Sequence, residues 1–317
     1  MPLSGYYRAY LKNQYVLQMY KKILFLLLLV ININAHAFVQ EIGPGVFVHI
    51  GKHLDVDEGY DGDICNIGFI VGEESIAVID TGGSYLVANK LLKYISDNFK
   101  QPVKYVINTH AHLDHVYGNV VFSDADIYGH KDLSKALKSR ADIYQGINER
   151  YLGKISDRSP LILPNKLVDI NKPEYIDLGN RKVRLEAHPI AHTESDLTVF
   201  DEKTKILWSG DLVFSERTPV VDGDIHGFIN VLEDLNKQEI DLVIPGHGLP
   251  SSKQYAIQPM VEYLIILRDD IRQFIDNGES LEFAIDNAAS SQKDQWLLFD
   301  IQNKRNVNLI FPMMEWE

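Results

Sequence analysis

Asn108-Thr109-His110-Ala111-His112-Leu113-Asp114-His115 closes the apolar run Val103-Lys104-Tyr105-Val106-Ile107, and three histidines with one carboxylate stand within its last six residues. That is more imidazole than a structural loop uses. Neutral imidazole is the commonest metal ligand, and a zinc site needs three or four donors that converge. In extended backbone alternate side chains point the same way, so His110 and His112 can share one metal. Asp114 and His115, past the turn, are left to face a second. Alone, such a cluster also suits a surface ion trap, so the rest of the chain has to supply further ligands.

It does so in a regular way. Strand-like runs are predicted at 46–49, 66–71, 76–80 and 103–107, with a helix over 84–99. A second series follows at 182–187, 197–200, 205–209 and 242–244. Close behind strands of this series come Ala191-His192-Thr193-Glu194-Ser195-Asp196, Ser209-Gly210-Asp211 and Pro245-Gly246-His247-Gly248. Apolar strands that end in histidine or aspartate put chemistry at one edge of a sheet, and glycine beside a ligand allows close backbone approach. Residues 132–152 read as a polar helix, a solvated surface element in preference to a lid. Tyr117-Gly118-Asn119 are expected to open the helix after the histidine loop, and 252–275 and 281–288 read as helices. Two strand-rich halves with helices outside predict an α/β fold, a four-layer αββα sandwich.

With 45% hydrophobic and 24% charged residues, the chain falls in the ordinary globular range and away from disordered, collagen-like or polytopic membrane classes. Lys21-Lys22, the apolar run 23–31 and Ala35-His36-Ala37 have the layout of a secretory signal. Asn32 and Asn34 interrupt that run short of the ~20 residues a bilayer span needs. Residues 1–37 are therefore expected to be an export signal, with Met19 as the true start and no stable membrane anchor after cleavage. The mature chain would be periplasmic or secreted, with a catalytic domain over 38–250 and a C-terminal helical extension, 251–317, packed on it. Cleavage removes Arg8, Lys12, Lys21 and Lys22 and no acidic residue, taking the net charge from −13 to −17. So acidic a surface repels phosphate backbones, which makes a small molecule the expected substrate and excludes nucleic acid. Cys65 stands alone, cannot form an internal disulfide, and reads as a small buried residue.

The order of Asp80 in Val78-Ile79-Asp80-Thr81-Gly82, then His110, His112, Asp114 and His115, then His192, Asp211 and His247 resembles the five-motif pattern of the metallo-β-lactamase superfamily. The resemblance covers about 46–248. It implies that His110, His112 and His192 hold one metal, that Asp114, His115 and His247 hold another, and that Asp211 bridges them, with Asp80 supporting the site from inside. It also implies two zinc ions, with iron or manganese as alternatives. The reaction implied is attack of a metal-bridging hydroxide on a carbonyl of a thioester, lactone or lactam-like substrate, with Asp114 as the catalytic residue that moves the proton.

Asp211 departs from the β-lactamases that use cysteine there, and Phe214 stands where many of those place a substrate-binding lysine. The bridging aspartate resembles glyoxalase II, although the C-terminal segment lacks a convincing basic cluster for glutathione. Asp63-Ile64-Cys65-Asn66-Ile67-Gly68-Phe69-Ile70-Val71-Gly72, Arg217-Thr218-Pro219-Val220-Val221-Asp222-Gly223 and the ending from Arg305-Asn306-Val307 to Glu315-Trp316-Glu317 resemble the quinoprotein relay system zinc metallohydrolases. That resemblance implies association with a quinoprotein dehydrogenase system. The alternatives are a β-lactamase and a persulfide dioxygenase with one iron on His110, His192 and Asp211. A non-catalytic binding factor would have lost ligands, and none is missing. His49, His53, His130, His188 and His226 match no motif and are expected at the surface or in hydrogen bonds. Arg217 and Asp222 are expected to line the pocket or to form a structural salt bridge.

Overall fold

The computed structural model describes residues 38–57 and 59–317; the segment read as an export signal lies outside them. Among the described residues the strands form two sheets. The first holds, in spatial order, β1 (Gln40–Gly43), β2 (Val46–His49), β3 (Ile67–Val71), β4 (Ile76–Ile79), β5 (Val103–Ile107), β6 (Asp126–His130) and β7 (Lys166–Val168). The second runs β13 (Ser251–Ser252), β12 (Leu242–His247), β11 (Ile206–Phe214), β10 (Leu197–Asp201), β9 (Lys182–Ala187) and β8 (Glu174–Asp177).

Alternation along the strands separates three layers of core. Val46, Val48, Ile70, Ala77 and Ile79 of the first sheet meet Val183, Leu185, Val199, Ile206 and Trp208 of the second. Their neighbours face outward. Phe47 stacks on Phe69 at 4.8 Å, and both meet Phe99 edge-on at the end of helix α1 (Tyr85–Asn98). On the far side Phe200, Leu207 and Val243 pack under helices α4 (Ile225–Lys237), α5 (Lys253–Asp276), α6 (Leu281–Asn287) and α7 (Phe299–Glu315). Helices thus cover both outer faces, which is the four-layer sandwich the sequence predicts. Each fully buried aliphatic or aromatic side chain contributes about 1.5–3 kcal/mol.

Parallel pairing sets the working edge. β4 pairs parallel with β5, and β11 parallel with β12, so α1 and α4 must serve as crossovers. The carboxyl ends of these strands then open at one edge, where ligands to α/β sheets collect.

The halves are also locked by a buried ion pair. Arg181 Nη2 and Nε donate to Asp201 at 2.6 and 3.0 Å, while Nη1 donates to the carbonyls of Pro44 and Val71, each at 2.9 Å.

One expectation is met in a shorter form and another is corrected. Tyr117-Gly118-Asn119 lead from α2 (Leu113–Val116), which ends at Tyr117, into a helix of the 3-10 type over Asn119–Phe122. A Cβ on Gly118 would stand 2.1 Å from the Thr81 carbonyl. The Asn119 side chain is drawn inward to Asn108 and to Thr81, which anchors the start of that turn. The polar helix α3 (Leu133–Leu152) is not a freely solvated element: Leu133, Ala136, Leu137, Tyr144, Asn148 and Leu152 are buried. Its Tyr144 hydroxyl donates to the Ala111 carbonyl at 3.0 Å, directly on the histidine loop.

Candidate metal centre

β5 and α2 deliver His110, His112, Asp114 and His115; the loop between β9 and β10 delivers His192, β11 delivers Asp211, and β12 ends on His247. These side chains converge. Donor atoms of His110, His112, His192 and Asp211 lie within 4.8 Å of one another, as do those of His115, Asp211 and His247. Asp114 Oδ2 is 3.5 Å from Nε2 of both His115 and His247.

The Asp211 carboxylate lies between the two groups. Its Oδ2 is 3.6 Å from His110 Nε2, 3.5 Å from His192 Nε2 and 3.3 Å from His247 Nε2, and its Oδ1 is 3.3 Å from His115 Nε2. These separations are long for hydrogen bonds. They match donors around a shared ion: ligands at about 2.0–2.1 Å in tetrahedral array stand roughly 3.3–3.4 Å apart. His110 Nε2, His115 Nε2 and Asp211 Oδ1 are buried with no hydrogen-bond partner. Buried polar atoms are otherwise almost always paired, so the donor set fits a metal in chemistry, spacing and unfilled valence.

The outward nitrogens hold the rings in place. His115 Nδ1 meets Asp80 at 2.7 Å, His192 Nδ1 the Val220 carbonyl at 2.7 Å, His247 Nδ1 the Ile64 carbonyl at 2.7 Å, and His110 Nδ1 the Thr109 hydroxyl at 3.0 Å. Each leaves Nε2 turned inward with its lone pair. His112 is reversed: Nε2 meets Asp222 at 3.1 Å, while Nδ1 stands 3.1 Å from His192 Nε2. Asp80 sits at φ 50, a strained conformation for a non-glycine residue. There its carboxylate also accepts from the Thr109 amide and hydroxyl at 2.8 and 2.7 Å. Glycine is required beside the Asp211 carboxylate, since a Cβ on Gly246 would lie 1.9 Å from Asp211 Oδ1.

Burial and charge set the protonation states. Burial holds His110 well below, and His192 at about 4, against an ordinary value of 6.5, so both are neutral at neutral pH. Burial also opposes a charged His115, but Asp211, Asp114 and Asp80 outweigh it and raise the group well above 6.5. Asp211 is desolvated, yet His247, His115 and His110 hold it well below the usual carboxylate range.

Arg140 is not visible as a contributor in the sequence, whereas Asp222 and Arg217 stand where pocket or salt-bridge residues are expected. Arg140 of α3 forks onto Glu194 at 2.6 and 3.0 Å and reaches Asp222 at 3.2 Å. Asp222, partly desolvated but held by His112 and Arg140, falls to about 2. Arg140, Asp222 and His112 thus form a chain from α3 to the first donor group, 82 and 110 positions apart in sequence. Replacing Asp222 with asparagine is expected to weaken zinc binding at that group by about 10–100-fold, as measured by competition with a chromophoric chelator. Cys65, expected to be merely buried, donates its thiol to the Asp114 carbonyl at 2.8 Å, and burial pushes its pKa well up. Arg217 lies at 3.2 Å from His247 Nδ1. His49, His53, His130 and His188 are hydrogen-bonded, and His226 pairs with Glu317 at 3.2 Å.

Comparison with known proteins agrees with this geometry. The type 2 metallo-beta-lactamase of Bacillus cereus is 26% identical over 181 residues, 55% of this chain and 63% of that enzyme, so the match spans just under two thirds of the relative. An acyl-coenzyme A thioesterase of Gallus gallus is 24% identical over 238 residues, 66% of this chain and 79% of that protein. Among solved structures, a metallo-beta-lactamase from Pontibacter korlensis superposes with a TM-score of 0.57 at 19% identity, covering 72% of this chain and 98% of that one; this shows the fold. The family model described as the metallo-beta-lactamase superfamily matches residues 60–247, from the loop before β3 to the last histidine of the centre. The chain belongs to the metallo-beta-lactamase superfamily.

Proposed function

We propose that this protein is a binuclear zinc hydrolase that cleaves a carbonyl substrate: a thioester, a lactone or a lactam-like ring. The observation that carries the reading is the Asp211 carboxylate, placed between two groups of imidazole donors, of which His110 Nε2 and His115 Nε2 are buried without a hydrogen-bond partner. Metal-dependent hydrolysis is also the chemistry of its relatives, which include β-lactamases and a thioesterase.

His110, His112 and His192 would hold one ion and Asp114, His115 and His247 the other, with Asp211 between them. A pair of divalent ions supplies Lewis acidity and lowers the pKa of water to near 7. The chain's own part is to orient and to move protons. Asp80 and the carbonyls of Val220 and Ile64 fix three of the rings, and Asp114, buried beside His115 and His247, would take the proton from water and return it to the leaving group. Asp114→Ala is expected to lower turnover by about 10²–10⁴-fold with an unchanged circular dichroism spectrum. Unchanged turnover would remove Asp114 from this role.

An aspartate at 211 favours the glyoxalase II type of centre over one that uses cysteine. The layout of 21–37 supports export, and the likeness of 63–72 and 217–223 to quinoprotein relay metallohydrolases supports a link to a quinoprotein dehydrogenase system. The test is metal content of protein purified without added metal, with assays on thioesters, lactones and β-lactams. About two zinc ions per chain with carbonyl hydrolysis is the expected result. One iron per chain, with oxygen uptake on a persulfide and no hydrolysis, would overturn the reading.

A further inference from the structure

The His247 side of the centre is apolar and its cations are taken. Leu54, Leu249, Leu297 and Ile301 are 37%, 53%, 51% and 40% exposed. They come from three segments that the fold ties around the loop following β11. His53 Nε2 meets Glu216 at 3.3 Å, Leu297 exchanges backbone bonds with Glu216 and Thr218 at 2.7 and 3.0 Å, and Gln302 donates to Asp55 at 3.3 Å. Gly248, at φ 90, folds Leu249 back toward Ser215, whose amide donates to the His247 carbonyl at 2.8 Å. Phe214 completes the surface beneath, its ring stacked on His247 at 5.3 Å with 5° between planes.

Positive charge on these segments is neutralised or hidden. Lys52 pairs with Asp61, and Arg305 pairs with Asp55 at 2.9 Å. Arg217 is 4% exposed and touches the Nδ1 side of His247, away from the metal-facing nitrogen. On the His112 side, Arg140 is shared by two carboxylates, Glu194 and Asp222, leaving an acidic excess. The whole chain carries −13, so an anion meets a repulsive field on approach.

Resting on the hydrolase reading above, we propose that the substrate is an uncharged carbonyl compound whose apolar part lies along Leu54, Leu249, Leu297 and Ile301, and that anionic acyl compounds are selected against. An exposed apolar patch tied to the loop beside the donor groups has the character of a ligand surface, and among the described residues the pairing of Lys52 and Arg305 and the burial of Arg217 leave little to offset desolvation of a carboxylate or phosphate there.

The test uses the zinc-loaded protein and two matched series of 4-nitrophenyl esters, one ending in methyl and the other, at equal chain length, in carboxylate. Methyl-terminated esters are expected to gain about threefold to fourfold in kcat/KM per added methylene. The carboxylate series is expected to run at least about tenfold lower, with the gap narrowing as salt is raised. Leu249→Ser combined with Leu297→Ser should flatten the chain-length slope. Calorimetric binding of alkyl methyl ketones and their carboxylate-terminated counterparts gives a readout independent of turnover. Ketones that bind in the same neutral-over-anionic order, with no ester cleaved, would sink the hydrolase reading and leave the specificity standing. Preference for the carboxylate series in either measurement, or a flat chain-length response, would overturn the proposal.

Discussion

Asp211→Ala is expected to abolish turnover and to strip the protein of bound metal. Four imidazole nitrogens stand 3.3–3.6 Å from this one carboxylate, so on the proposed reading its removal would take a ligand from both groups at once. A four-donor zinc site is worth about 10–16 kcal/mol, and losing one donor from each group weakens both. Activity below detection, with less than one zinc per chain by elemental analysis, is the expected result. Asp211→Asn separates charge from shape, because the amide keeps an oxygen donor without the anion that the facing imidazoles favour. Retention of two ions by the alanine variant would refute the bridging role.

The second large effect concerns stability. Arg181→Ala is expected to destabilise the protein by about 3–5 kcal/mol, the usual result of breaking a buried pair on one side. The loss leaves Asp201 charged at 0% exposure and frees the Pro44 and Val71 carbonyls. Thr204, which also bonds Asp201, offsets only part of this. At this chain size each kcal/mol corresponds to about 2–4 °C, so Tm should fall by on the order of 10 °C. The pair Arg181→Met with Asp201→Leu should recover much of the loss, since an apolar replacement of both partners leaves no charge buried. A single variant within 1 °C of the parent would show the pair to be dispensable.

What the sequence disclosed follows from how local each signal is. The strands at 103–107 and 182–187 have the predicted bounds, since apolar alternation is written in the segment itself. Asp126–His130 and Glu174–Asp177 were not anticipated, because polar residues at sheet margins carry little periodicity. The strand read at 205–209 runs on to Phe214, carried by Gly210 at φ 52 through an irregular register. α4 had a legible signal that went unread: Asp224 caps it, and Ile225, Phe228, Ile229, Leu232 and Leu235 are buried at helical spacing. α7 lies within the helical extension expected over 251–317, but its bounds have weak local signals, since Pro312 lies inside it and Leu298 enters it at φ 59 without a side-chain cap.

The donor residues were legible because clustered histidine and aspartate at strand ends have few structural uses. Their holders were not. Arg140 and Glu194 are ordinary surface residue types, and only the fold brings α3 over the histidine loop; Asp222 takes up the salt bridge that the sequence allows it. Cys65 and Asn66 are similar: Asn66 bonds the carbonyls of Pro245 and Gly248 at 2.8 and 2.7 Å, across 179 and 182 positions, a contact with no local trace.

The supply of donors from both sheets, between positions 110 and 247, has a consequence for biogenesis. A growing or partly folded chain can present His110, His112, Asp114 and His115 early, but His192, Asp211 and His247 join them only after the second sheet has docked. Pairings so distant in sequence form late and slowly, and an incomplete donor set binds weakly. A complete donor set is therefore expected only in the finished molecule, so an ion held there would be drawn from the medium in which folding ends.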